Sequence, residues 1–226
     1  TVVKTAGFAA FYRLFSTAFI GAGEFWTTAV AIVAGLTMTL ANTTAIFQSN
    51  FKRMMAYSSI SHAGYLLLAV LAAGQAGAAG AILYYTLVYS IATVCAFGCF
   101  LLVSEQNQDE TFEAFNGLSK KQPLIASVMA LSMLTLAGIP PTAGFFGKYF
   151  LFTVAFEQYP WLIVLAVVNS AISIYYYFKV IIAMYFSKEE NAYTVVIPHS
   201  VRWTLAAGLI LIALLTLMPA PVFNLI

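Results

Sequence analysis

Apolar residues in this chain come in long unbroken runs, and most of the polar positions gather between the runs rather than along one face of them. Runs of that kind form helices that are buried all round or that cross a bilayer, whose hydrocarbon core takes roughly 20 residues of helix. About seven can be marked, over about residues 1–18, 25–47, 54–73, 78–104, 122–156, 160–186 and 200–219. The fifth is too long for one simple crossing, and Pro140 and Pro141 interrupt it. Neither proline donates a backbone hydrogen bond, and each clashes with the turn before it. A helix entering from Met129 therefore stops or unwinds near Gly138, leaving two half-helices joined across residues 138–142. The pattern predicts an all-α, polytopic transmembrane helix bundle of about seven helices, one of them broken at Pro-Pro, as one unit over residues 1–226.

The break has a chemical consequence. Interrupted backbone at membrane depth survives only where it is buried in protein or lines a wet cavity, because an unsatisfied amide in lipid costs several kcal/mol. Lys148 follows the break by about two turns, where an ammonium facing lipid is expensive. The expectation is a lysine that faces a hydrated interior path.

Composition narrows the class. Of 226 residues, 62% are apolar and 8% charged, which lies outside the range of soluble globular domains. A formal net charge of +2 without a polybasic run gives no sign of a nucleic-acid partner. Lys52, Arg53, Lys120, Lys121, Lys188 and Arg202 fall in or beside the even-numbered connections, while the odd-numbered ones carry no Lys or Arg. The positive-inside rule then puts the even-numbered connections on the cytoplasmic side and the C-terminus on the other. The longest connection, Ser104 to Gln122, carries Phe112 and Phe115 at helical spacing, as a short interfacial or partner-facing helix or as a solvated loop. Cys95 and Cys99, one turn apart in an apolar run, read as small buried hydrophobes rather than a disulfide or metal pair. The chain opens on Thr1-Val-Val-Lys-Thr-Ala, without an initiator Met or a signal peptide, so further residues are expected before it.

Three lysines stand apart from the loops: Lys4, Lys148 and Lys179. A lysine kept out of bulk water changes its protonation state when a neighbouring charge changes, which is what a proton relay requires. The alternative for Lys4 and Lys179 is snorkelling to the interface from a helix end. The third run is unusually polar for a crossing helix, with Ser58, Ser59, Ser61, His62 and Tyr65. His62 titrates near physiological pH and is a candidate to pass a proton between lysines, or else a hydrogen-bonded packing residue. Nothing stands at metal-ligand spacing from it. Tyr84, Tyr85, Tyr89 and Ser90, and then Asn169, Ser170 and Ser173, either hydrate a path or bond neighbouring helices. No phosphate-binding loop, dinucleotide fingerprint or Ser/His/Asp constellation is present.

Two stretches carry a resemblance: Gln48-Ser-Asn-Phe-Lys-Arg-Met-Met-Ala-Tyr-Ser-Ser-Ile-Ser-His-Ala-Gly-Tyr65, and Leu131-Ser-Met-Leu-Thr-Leu-Ala-Gly-Ile-Pro-Pro-Thr-Ala-Gly-Phe-Phe-Gly-Lys-Tyr-Phe150. Both resemble the antiporter-like membrane subunits of respiratory complex I, most nearly the branch called subunit N, or subunit 2 in mitochondria. Gly147-Lys148-Tyr149 is unlike the Ser-Lys-Asp of the larger subunit L, and the fourth run lacks that subunit's histidines and lysine. The resemblance implies a fourteen-helix protein built from two inverted five-helix repeats, with this chain similar to its last seven helices. By the same resemblance, Lys4 corresponds to the central lysine of helix eight, Lys148 to the exit lysine of the broken helix twelve, and His62 to the Tyr-Ser-Ser-Ile-Ser-His motif of helix ten.

It further implies proton translocation through buried lysines, driven by quinone reduction elsewhere in an NADH (or ferredoxin):quinone oxidoreductase. No cofactor is then bound by this chain; NADH, FMN, iron-sulfur clusters and quinone belong to the wider complex. Its partners are the neighbouring antiporter-like subunits, the small membrane subunits and lipids. The expected location is the bacterial inner membrane, with organellar inner and thylakoid membranes as alternatives. Two other functions fit the same residues: a cation/proton antiporter subunit, and a non-pumping scaffold whose lysines pair with carboxylates of adjacent subunits.

Overall fold

A computed structural model describes residues 2–19, 23–188 and 198–223. The first inter-helix connection at 20–22, the connection at 189–197, Thr1 and the C-terminal 224–226 lie outside the described residues. Among the described residues every regular element is helical: α1 (Val2–Thr17), α2 (Gly23–Ile46), α3 (Phe51–Leu71), α4 (Ala78–Asn107), α5 (Leu118–Lys121), α6 (Pro123–Ala137), α7 (Ala143–Phe156), α8 (Pro160–Phe186), α9 (His199–Leu217) and α10 (Pro219–Phe223). Five stretches within α2, α3, α4, α8 and α9 are long and apolar enough to cross a membrane, and α6 and α7 are shorter apolar helices placed in succession. The chain is a multi-pass helical membrane protein in which α6 and α7 are parted at Pro140 and Pro141.

The interruption follows from its residues. Pro123 opens α6 at a position where a missing N–H costs nothing. In an unbroken helix the carbonyls of Leu136 and Ala137 would accept from residues 140 and 141, but both are prolines and have no N–H to give. Gly138 adopts a left-handed conformation (φ 77°) that closes the helix, its N–H donating to Leu134 O at 3.0 Å. Thr142 N–H then donates to Ile139 O at 2.9 Å, and α7 starts one residue later.

One end of the bundle is knitted together by its connections. Asn50 caps α3 by accepting from Arg53 N–H at 3.0 Å, and its side-chain amide donates to Glu110 at 3.1 Å. That hydrogen bond, with Lys52 at 3.5 Å, holds the Glu110 carboxyl below the usual carboxylate range. Phe51 N–H donates to Glu110 O (2.8 Å), Phe112 N–H to Ser49 O (3.3 Å) and Gly117 N–H to Ala183 O (3.1 Å). The segment between α4 and α5 therefore folds onto its own chain. Phe112–Phe115 forms a single 3-10 turn, and the Phe115 ring is fully buried 5.3 Å from that of Phe51, which stacks on Phe100 at 4.9 Å.

Inside, two apolar clusters flank a polar band. One holds Phe51, Met54, Ala92, Cys99, Phe115, Ile125, Met129 and Val180, and the other Ala34, Met38, Leu68, Ala81, Leu151 and Leu162. Along α3 the buried residues pass from Met54 and Met55, through Ser58, Ser61 and His62, to Leu66 and Leu68. Along α8 they pass from Leu162 and Ala166, through Asn169 and Ser173, to Val180 and Met184. The buried polar side chains thus sit at intermediate depth, with apolar packing at both ends. Cys95 and Cys99 are free thiols, both buried.

Close backbone approach fixes the two half-helices against each other. A Cβ on Gly144 would stand 1.7 Å from the Thr135 carbonyl oxygen, a backbone atom that cannot turn aside. Gly144→Ala is expected to push α7 off α6 at a cost of at least about 1–3 kcal/mol. The measurement is the unfolding midpoint and membrane yield of the purified assembly; parent-like values for both would contradict this packing.

Candidate functional site

Lys148 lies in the second turn of α7 and is 4% exposed. Its ammonium reaches back across Gly138 and donates to Ala137 O at 2.7 Å, one of the two carbonyls that the prolines leave without a helical partner. A second donation goes to Ser170 Oγ on α8 at 2.8 Å, and Nζ lies 5.0 Å from the centre of the Tyr65 ring. Gly138 is required for this reach, since a Cβ there would meet Lys148 Cδ at 2.8 Å and Nζ at 3.2 Å. None of the described acidic side chains is buried. Within these residues the amine is held by neutral dipoles and a ring face, not by a carboxylate.

His62, on α3, is 3% exposed and lies between two tyrosines. Its Nδ1 is 2.6 Å from Tyr85 OH on α4, and its Nε2 is 3.0 Å from Tyr177 OH on α8. Tyr177 OH in turn bonds Ser58 Oγ. A neutral imidazole donates from one nitrogen and accepts at the other, and hydroxyls do both. The row Ser58, Tyr177, His62, Tyr85 is therefore a continuous chain of groups able to pass a proton by exchanging donor and acceptor roles. His62 and Lys148 share the wall of one small cavity, together with Tyr85, Val88, Tyr89, Thr135, Leu136 and Gly144.

Lys4 also approaches α3. It is partly buried, and its amine donates to the carbonyl of Ser59 and to Ser59 Oγ (2.7 Å), 5.1 Å from the centre of the Tyr89 ring. The amine thus turns toward α3, beside the residue that begins the hydrogen-bonded row. Lys179 has a different surrounding: it donates to Ile46 O at the last residue of α2 (2.6 Å) and lies over the Phe112 and Tyr175 rings. That is a basic side chain closing a helix C-terminus, a structural role near one end of the bundle.

A second polar cluster, which the sequence did not reveal as a unit, joins α2 to α8. Asn42 donates to Asn169 Oδ1 (3.2 Å) and Met38 O (2.9 Å), and accepts from Tyr176 OH (2.9 Å). Asn169 donates to Thr39 Oγ1 (3.2 Å) and Leu165 O (3.0 Å). Tyr177 was also missed as the partner of His62. The signal available was the spacing Asn169, Ser173, Tyr177 at i, i+4, i+8, which puts all three on one face of α8. Among the described residues no three His, Cys, Asp or Glu side chains stand close enough to hold a metal ion.

Fold and site together define a polytopic membrane protein with a broken helix, two lysines turned inward and a hydrogen-bonded row of hydroxyls and one imidazole. The chain belongs to the NADH:quinone oxidoreductase/Mrp antiporter transmembrane family, whose profile matches residues 1–173. It is 38% identical over 218 residues to the NADH-quinone oxidoreductase subunit N of Desulforamulus reducens, covering 96% of this chain and 46% of that one. A chain of respiratory complex I from Thermus thermophilus superposes with a TM-score of 0.77 at 36% identity, covering 87% of this chain and 44% of that one. A chain of the Mrp complex from a Dietzia species shares the fold, with a TM-score of 0.84 at 19% identity over 97% of this chain and 49% of that one. The chain spans a little under half the length of each of these three.

The hydroxyl of Tyr177 serves both Ser58 and His62, so Tyr177→Phe is expected to leave two buried groups short of a partner. The cost is about 1–3 kcal/mol, read as a lowered unfolding midpoint of the purified assembly; an unchanged midpoint would contradict the row described.

Proposed function

We propose that this chain is the C-terminal part of a proton-translocating membrane subunit of an NADH (or ferredoxin):quinone oxidoreductase. The observation that carries the reading is the Lys148 amine, buried on a carbonyl stripped of its helical partner and sharing a cavity with His62. Its surroundings hold no carboxylate among the described residues, so the charge of this amine responds to charges elsewhere on the line rather than being neutralised by a fixed partner. In this reading Lys4 receives a proton at Ser59, the row Ser58, Tyr177, His62 and Tyr85 carries it inward, and Lys148 holds it before release. Electron transfer takes place in other subunits, which bind the NADH, FMN, iron-sulfur clusters and quinone, and this chain carries out no redox step. Its partners are the neighbouring antiporter-like and small membrane subunits and the surrounding lipid. The membrane is the bacterial inner membrane, as the organisms of the relatives suggest.

A second reading, a cation/proton antiporter subunit, draws support from the family's inclusion of Mrp antiporters. Co-purification separates the two, because only the first reading requires iron-sulfur and quinone-binding partners in one stable assembly.

In the full complex, Lys148→Ala is expected to lower the number of protons moved per electron while assembly persists. Lys148→Arg is expected to do the same, because a guanidinium keeps its proton. Proton uptake measured against quinone reduction in vesicles decides: parent stoichiometry in both variants would remove Lys148 from the path.

A further inference from the structure

The buried polar band has two kinds of member. Hydroxyls and imidazole both give and take protons, whereas an amide near neutral pH keeps the hydrogens on its nitrogen and only accepts hydrogen bonds at its oxygen. Two buried amide side chains among the described residues, Asn42 and Asn169, meet where α8 packs on α2. Backbone carbonyls fix which way each one faces. Asn42 Nδ2 donates to Met38 O (2.9 Å) and Asn169 Nδ2 to Leu165 O (3.0 Å), and a carbonyl can only accept. The amide oxygens are thereby aimed elsewhere, Asn42 Oδ1 at the Tyr176 hydroxyl (2.9 Å) and Asn169 Oδ1 at Asn42 Nδ2 (3.2 Å). Every donation in this file then runs one way, from Tyr176 to Asn42, from Asn42 to Asn169, and from Asn169 to Thr39 Oγ1 (3.2 Å). A hydrogen-bonded file carries protons only if each member hands one on and reverses its bonds. Neither amide can do so while its backbone carbonyl holds it.

The place of the pair gives this a consequence. Tyr176 adjoins Tyr177, with ring centres 4.5 Å apart, and the Tyr177 hydroxyl belongs to the row with Ser58 and His62. Asn42 Nδ2 also lies 3.5 Å from the hydroxyl of Tyr65, whose ring faces the Lys148 amine. In the other direction the end of α2 at Ile46 is about 6 Å away along the helix axis. Thr43, Thr44 and Gln48, toward and past that end, are half-buried.

We infer that the Asn42–Asn169 pair is a proton barrier, closing the polar band toward the end of α2 so that protons on the row do not escape through Tyr176. The inference rests on the relay proposed above and adds what seals it, since a relay with a second outlet lets protons run back down their gradient.

The test uses the full complex in vesicles under an imposed pH gradient, without turnover. Asn42→Asp keeps the shape and the oxygen facing Tyr176 but supplies a group that takes and releases protons; it is expected to raise passive proton conductance severalfold and to lower the protons moved per electron. Asn42→Leu keeps the volume, removes every hydrogen bond of the amide and carries no proton; it is expected to lower the unfolding midpoint while the vesicles stay as tight as the parent. A purely structural amide would give the opposite order, because leucine loses more of its bonds than aspartate does. Parent-like conductance in Asn42→Asp, or an equal leak in Asn42→Leu, would overturn the barrier. Should Asn42→Asp not assemble, a high-resolution density map of the parent complex decides: direct contact between the Tyr176 hydroxyl and Asn42 supports the barrier, and an ordered water inserted between them overturns it. Lys148→Ala in the same preparation separates the two claims. If that variant pumps normally, the relay itself falls; if it is impaired while Asn42→Asp stays tight, only the barrier falls.

Discussion

Two consecutive prolines remove two hydrogen-bond donors from the middle of a membrane helix, and much of this structure is arranged around the consequence. The carbonyls of Leu136 and Ala137 lose the N–H groups that residues 140 and 141 would have supplied. In hydrocarbon each such loss costs several kcal/mol unless something polar takes its place. For Ala137 the replacement is the ammonium of Lys148, which itself is too costly to leave facing lipid. Each group solves the other's problem, and the glycines at 138 and 144 give the clearance that lets them meet.

The same economy governs the polar band between the two apolar clusters. Every buried amide and imidazole in it has partners on a different helix: Asn42 with Asn169 and Tyr176, His62 with Tyr85 and Tyr177. Such bonds between helices add little net stability, but they fix which faces of α2, α3, α4 and α8 turn inward. The result is a set of proton donors and acceptors held at intermediate depth by apolar packing on both sides, without a fixed counter-ion for Lys148 among the described residues.

The break was legible from the sequence because it rests on local chemistry: proline lacks a donor wherever it occurs. The crossing helices were legible from the length of their apolar runs. Partnerships across the bundle were not, since Asn42 and Asn169 are far apart in sequence and nothing in an isolated apolar run says which polar residue meets which. Lys148 stood apart by its place after the break, while Lys4 and Lys179 each fitted an interior or a snorkelling position. The structure separates them by what each amine meets: the interior of α3, the carbonyl at the break, and the C-terminal end of α2. The segment around Phe112 and Phe115 was ambiguous for a related reason, because two aromatics at helical spacing fit a short interfacial or partner-facing helix as well as a solvated loop. The structure adds a contact that neither reading contained: Phe51 and Phe100, from α3 and α4, close over Phe115.

The most direct measurement is an experimental density map of the assembled complex in lipid nanodiscs, at a resolution that shows side chains and waters. The account predicts the Lys148 amine bonded to the Ala137 carbonyl and the Ser170 hydroxyl, with the His62 ring between Tyr85 and Tyr177. A Lys148 side chain extended among acyl chains, or an Ala137 carbonyl already satisfied by a backbone N–H, would contradict it.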